Sequence, residues 1–425
     1  MYTRSFTFFV ISLLAVLCIS CQSKSTEIPV IDIDNPTGAV DLNISDLLNN
    51  ITIVPLETND DLLLSTAGGT SFTVTNRYIL VSTREKLLQF DRKGKYIRTL
   101  AIRGNGPNEF SYIYTRLVDE KLNRLYYVDA RGNNIPVTCI DLSTGKFLEF
   151  PNPDLPAQSI QAIDAEGNIY GYSSASRTIS MMSNMLVSSG VSQKASDTPD
   201  SLLAYKYNPI DNIITHFHGY HSYLSDDRSR TMFQTGDHVS FLFFPYSDTL
   251  FHIDGNKMKP QYIFNLKNQM TNMQEGGATL RFPFSSAHGT IISLLDSKIT
   301  IIQSGGTISG ITVRNSTKAS LFLDKTKKLR AIKSITIEPI ALTVNMDGYL
   351  KNINEERGSE NKINPIPSVS GAWGYYAVEA LDMIEFMEQA LKGNKLSASQ
   401  RKALEEVAAK IDDDSNPVLM IGKIK

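Results

Sequence analysis

The stretch Leu88-Gln89-Phe90-Asp91-Arg92-Lys93-Gly94-Lys95-Tyr96-Ile97 decides the fold, because the chain repeats it. Fifty residues later it reads Cys139-Ile140-Asp141-Leu142-Ser143-Thr144-Gly145-Lys146-Phe147-Leu148. Looser copies stand at Ile163-Asp164-Ala165-Glu166-Gly167-Asn168-Ile169, His252-Ile253-Asp254-Gly255-Asn256 and Phe322-Leu323-Asp324-Lys325-Thr326. Each ends an apolar run with an Asp, and in most copies a Gly follows. The carboxylate accepts backbone N–H groups just after it, and the Gly supplies the positive φ of a short hairpin. The flanks, such as Tyr78-Ile79-Leu80-Val81 and Leu125-Tyr126-Tyr127-Val128, are β-branched or aromatic and read as strands. The same turns would serve in a sandwich. A period of about 50 residues made of strands alone fits one four-stranded propeller blade better.

Working outward, blades fall at 60–105, 106–156, 157–225, 226–275 and 285–340, with the sixth starting near Ile340. Blade three holds a Ser- and Met-rich excursion, Ser173 to Ser201, that reads as a long loop. Tyr376 to Leu391 carries apolar residues at helical spacing: Val378, Leu381, Ile384, Met387 and Leu391. Ser397 with Gln400 forms a capping box for a second helix through Leu404, Val407, Ala408 and Ile411. The terminal strand Val418 to Ile421 suits ring closure, with one end of the chain completing a blade begun by the other. Two early β-like runs stand at Ile28 to Ile31 and Ile51 to Leu56. The expected fold is all-β, a six-bladed β-propeller with a small helical insertion in the last blade. Residues 1–20 read as a signal peptide, 21–27 as a tether, and 28–425 as the propeller, its helical insertion spanning 376–411.

The address lies in the first residues. Arg4 is the only charge before the apolar run Phe6 to Ile19, a signal-peptide core too short for a spanning helix. Ser20-Cys21 then resembles a bacterial lipoprotein box, although Cys18 stands where Leu is usual. Cys21 is the expected lipidation site, and each buried CH₂ of its acyl chains contributes about 0.8 kcal/mol to anchoring. Without residues 1–20 the chain carries 41 basic against 44 acidic side chains, a net charge of −3. That balance gives no basic face for nucleic acid. Cys139, the remaining cysteine, lies in a strand and reads as a buried inert thiol, so no disulfide is expected.

Several segments together resemble the six-bladed β-propeller lipoproteins of Gram-negative bacteria. They are Val54-Pro55-Leu56-Glu57-Thr58, Phe90-Asp91 to Gly94-Lys95, Gly104-Asn105-Gly106-Pro107-Asn108-Glu109-Phe110, Pro245-Tyr246-Ser247-Asp248-Thr249-Leu250 and Asn416-Pro417-Val418-Leu419. The resemblance covers most of the mature chain. It implies the fold and the anchor, and it implies no activity.

The candidate binding loop is Arg103 to Phe110, between the outer strand of blade one and the inner strand of blade two. In propellers such loops surround the channel mouth. Arg103, Asn105 and Glu109 would hydrogen-bond a polar ligand there; the alternative is a plain turn in which Glu109 pairs with Arg103. His216, His218 and His221 form H-x-H-x-x-H, read as surface or core histidines rather than metal ligands. Trp373, in Ser370-Gly371-Ala372-Trp373-Gly374-Tyr375-Tyr376, reads as packing ahead of a sugar platform. No phosphate loop, G-x-S-x-G elbow or H-E-x-x-H is present. The expected function is recognition of a carbohydrate, peptide or protein by an outer-membrane lipoprotein facing the periplasm or the cell exterior. No cofactor or metal is expected. The alternative is a lyase or hydrolase acting on carbohydrate or peptide in the channel.

Overall fold

The structure is a computed structural model. It describes residues 27–66, 69–129, 137–150, 160–172, 198–221, 230–235, 238–243, 248–267, 277–304, 307–354 and 363–425. Its strands form six sheets arranged as the blades of a propeller. Blade one is Ser71–Val74, Tyr78–Ser82, Lys86–Asp91 and Tyr96–Ile102, ordered from the axis outward. Blade two is Ile113–Asp119, Arg124–Asp129, Val137–Asp141 and Phe147–Leu148. Blade three is Ile160–Ile163, Ile169–Tyr172, Thr198–Asn208 and Ile213–His221. The Ser/Met-rich excursion lies outside the described residues up to 197, and its last residues already belong to a strand.

Blade four gains one extra strand at the rim and blade five gains two. Blade four is Arg230–Thr235, His238–Phe243, Thr249–Asp254 and Lys257–Asn265, with Val30–Asp32 added in parallel. Blade five is Gly277–Ser286, Gly289–Ser304, Thr307–Asp324 and Leu329–Ile337, with Ala39–Asn43 in parallel and Leu342–Asn345 antiparallel on its last strand. Blade six takes Ser368–Ser370, Trp373–Val378 and Val418–Ile424 from the end of the chain, and its outer strand Leu48–Pro55 from the beginning. The N-terminal segment therefore straps three successive blades, and the last of these pairings closes the ring.

The Asp-based turns explain why the repeat was visible. Asp91 Oδ1 accepts Lys93 N at 2.8 Å and Lys95 N at 2.9 Å. Asp141 and Asp324 repeat this at the same place in blades two and five. Gly94, Gly145 and Gly255 carry the positive φ, while in blade five Lys327 takes it at +65°. The copy at Asp164 is the exception. It joins the first and second strands of blade three, whereas the others join third to fourth.

Packing follows from the topology. Each of the six buried apolar clusters fills one seam between neighbouring blades. Phe90, Val81 and Leu88 of blade one, for example, meet Tyr375, Leu419 and Ile421 of blade six. The blades thus hold one another around the ring, and the innermost strands turn a free edge to the axis.

Among the described residues there are four α-helices, α1 (Ile44–Leu47), α2 (Met346–Asn354), α3 (Ala380–Lys392) and α4 (Ala398–Ala408), and a 3₁₀ turn at Glu338–Ile340. α3 and α4 interrupt blade six between its second and third strands. α4 has the Ser397–Gln400 capping box: Ser397 N donates to Gln400 Oε1 at 2.9 Å. The buried face of α3 is Ala380, Met383, Phe386, Met387 and Ala390, and Leu381 stays 61% exposed. The sequence placed Val378, Leu381 and Ile384 on that face. Val378 instead ends a strand, and the helix begins only at Ala380, which sets a different phase.

Candidate functional site

The loop after blade one is rigid, and its own atoms make it so. Phe110 N donates to Ile102 O and Gly104 N to Phe110 O, at 3.0 and 2.9 Å. Phe110, 2% exposed, drops its ring into the seam with Leu87, Leu125 and Tyr127. Glu109 folds back so that Oε2 accepts Gly106 N at 2.6 Å. A Cβ on Gly104 would stand 2.0 Å from that carboxylate, so the tuck needs glycine there. Beyond the loop, the buried carboxylate of Asp129 accepts Ser111 N at 2.9 Å and Tyr112 N at 3.2 Å.

The three residues singled out from sequence therefore differ. Arg103 is exposed and pairs with Glu85, Nη1 to Oε1 at 3.1 Å, rather than with Glu109. Asn105 is exposed at the tip. Glu109 is half-buried and spends its carboxylate on the loop itself. Sequence reasoning missed Tyr112, which stands 62% exposed beside them.

The loop leads into the innermost strand of blade two, and there sits Arg116. Its guanidinium is half-buried and makes no hydrogen bond or ion pair among the described residues. Burial holds it below the ordinary arginine range, while the nearby Tyr375 phenol works the other way. Tyr375 donates to Phe72 O at 2.8 Å, and burial raises its phenol against the pull of Arg116 and Ser368. Blades one, two and six thus meet around Arg116.

A second polar group lies at the other end of the ring, around the inner hairpins. Arg92 stacks on Trp373, its guanidinium carbon 4.1 Å from the ring centroid. Burial lowers Arg92, with Glu120 opposing, and burial raises Glu120, which accepts Asn76 N at 2.8 Å. With Arg92 over its face, and with Tyr375 and Tyr376 buried, Trp373 offers no open platform to a sugar ring.

His216 and His218 do share a face of the outer strand of blade three, their rings 6.2 Å apart. The His221 side chain lies outside the described residues, and among those described no group of three or more potential ligands could hold a metal ion. The Cys139 thiol is buried, and burial pushes it up to about 11, which keeps it protonated and inert at neutral pH. Cys21 and most of the tether lie outside the described residues.

Comparison with known proteins supports the fold. A Bacteroides fragilis protein assigned as exported aligns over 91% of this chain and 99% of its own, with 12% identity and a TM-score of 0.51. A member of the DUF4221 family from Bacteroides vulgatus covers 89% and 98%, at 10% identity and a TM-score of 0.42. An auxiliary nutrient binding protein from Bacteroides thetaiotaomicron covers 66% and 64%, at 9% identity and 0.33. The first of these, with a TM-score above 0.5, speaks for the fold alone. Among curated proteins no match was found. The family is decided by sequence: residues 28–423 match the domain of unknown function DUF4934, and the chain belongs to that family.

Proposed function

We propose that the protein is a lipid-anchored propeller outside the cytoplasm that recognises a ligand or partner protein at its channel mouth. The observation that supports this most is the braced loop 103–112. Its backbone, Glu109 and Asp129 fix it on rigid strands, and Asn105 and Tyr112 stand exposed on it. Loops held this way on a stable scaffold serve recognition with little ordering cost. The ligand is a carbohydrate, a peptide or a protein. Among the described residues no observation favours the lyase or hydrolase alternative.

The address rests on the apolar run Phe6 to Ile19 and on Ser20-Cys21. No helix among the described residues is long and apolar enough to cross a membrane. In this reading, attachment to the outer membrane rests on acyl chains at Cys21. Cys21→Ala should move the protein from the membrane fraction to the soluble one. A mutant that stays with the membrane after a carbonate wash would assign the anchor elsewhere.

Recognition is tested by a glycan array and a pull-down with the mature domain, followed by loop variants. Arg103→Ala should weaken binding by about 1–3 kcal/mol if the lost contact is charge-assisted and desolvated. It should barely change the melting temperature. The pair it breaks is exposed on both sides, at 54% and 67%, and such pairs contribute at most about 1 kcal/mol. Glu109→Ala should loosen the loop and weaken binding as well, through the lost contact with Gly106 N. Unchanged binding in both variants would move the site off this loop.

A further inference from the structure

We propose that Arg116 anchors a carboxylate-binding site in the central channel, so that the ligand recognised by this propeller carries a carboxylate. The inference rests on the reading of recognition at the channel and adds the chemical class.

Charge along the axis is the first ground. The chain as a whole is acidic, with 44 acidic against 42 basic side chains. Its six innermost strands reverse that balance. They carry Arg116, Arg230 and Arg281 against one carboxylate, Asp119. Asp119 does not serve as a counter-ion. Its Oδ1 accepts Lys121 N and Leu122 N, at 2.9 and 2.8 Å, in the turn that ends the strand, and its buried Oδ2 has no hydrogen-bond partner, the guanidinium included. An excess of one sign on the strands nearest the axis draws ions of the other.

The state of Arg116 is the second ground. A partly desolvated guanidinium normally finds a carboxylate or carbonyl partner, because nothing else offsets the lost hydration. Arg116 finds none among the described residues, although it lies where three blades converge. Beside it, Tyr375 spends its proton on Phe72 O, so the contact to an acid falls to the guanidinium itself. An arginine fork matches the two oxygens of one carboxylate, and one positive charge balances one negative charge. A sugar acid and the C-terminus of a peptide both present that group.

The test is calorimetric titration of the mature chain at low ionic strength. The probes are glucuronate, N-acetyl-alanyl-alanine, and their uncharged counterparts glucose and the dipeptide amide. At least one acid should bind saturably, about tenfold or more tighter than its neutral form, and weaken with salt. Glucuronate alone would identify a sugar acid, and the dipeptide alone a peptide terminus. Arg116→Gln should abolish the preference for the acid, and Arg116→Lys should keep part of it. Arg116→Met, free of ligand, should melt no lower than the parent, since it removes an unpaired charge. A lower melting temperature would make Arg116 a structural brace and overturn the proposal. So would an acid preference that survives Arg116→Gln, or none in the parent. If glucose binds the parent and Arg116→Gln alike, recognition at the channel stands and the carboxylate class falls.

Discussion

Asn416→Ala should cost about 3–5 kcal/mol of stability, from one buried side chain at the seam where the two ends of the chain meet. Asn416 is 1% exposed. Its Nδ2 donates to Glu57 O at 2.7 Å and Leu62 O at 2.5 Å, and its Oδ1 accepts Leu64 N at 2.7 Å. Alanine leaves two carbonyls and one N–H without these partners, the Leu62 carbonyl buried and the other two groups partly so, at up to about 1–3 kcal/mol each. Relaxation and entering water recover part of that sum. A typical domain has only about 5–15 kcal/mol in total, so a third of the stability is at stake. Urea denaturation should show a lower midpoint with an unchanged slope. Asn416→Asp should fare worse than alanine, because a carboxylate would then face two carbonyl oxygens. A loss below about 1 kcal/mol for either variant would mean that residues 56–64 are held by other contacts.

The closure also shows what the sequence could and could not reveal. Val54-Pro55-Leu56-Glu57-Thr58 and Asn416-Pro417-Val418-Leu419 stood out as family motifs without a stated purpose. They are the two sides of one joint. Thr58 Oγ1 accepts Asn416 N at 2.7 Å, Glu57 Oε2 accepts Tyr96 N at 3.0 Å, and Val54 pairs with Leu419. The blades were legible because their information is local: an Asp, a Gly and a strand within ten residues. Ala39–Asn43 was not legible. It is a rim strand whose partner, Ala331–Thr336, lies almost three hundred residues away, and its short alternation resembles a loop. Arg116 was missed for a related reason. In Ile113-Tyr114-Thr115-Arg116-Leu117-Val118 it looks like the polar step of an ordinary strand. Only the ring makes that strand the innermost of its blade. The phase of α3 was misjudged because it is set by where the preceding strand ends, which periodicity alone does not encode.

Gly94→Ala should cost about as much, and its cause can be isolated by comparison with two other glycines. Gly94 lies at φ +85°, and a Cβ there would stand 1.9 Å from Pro55 O and 3.2 Å from Val54 Cγ1. The obstacle is backbone of the closing strand, which cannot rotate away. The hairpin must lift off, stretching the bond from Glu57 N to Gly94 O, now 2.8 Å, and the link from Tyr96 N to Glu57. Gly145, at φ +74°, holds the same place in blade two, but its Cβ would meet the Arg98 side chain at 2.9 Å. That flexible chain can swing aside at the cost of its bond to Ser143 O. Gly255, at φ +59° in blade four, has nothing within 4 Å, so its substitution carries only the conformational penalty. Alanine should therefore cost about 1 kcal/mol at Gly255, somewhat more at Gly145, and about 3–5 kcal/mol at Gly94. The difference between the first and the last measures how tightly blade one seats on the closing strand. Three equal losses in denaturation would assign the whole effect to left-handed backbone and leave the joint itself without a measurable share.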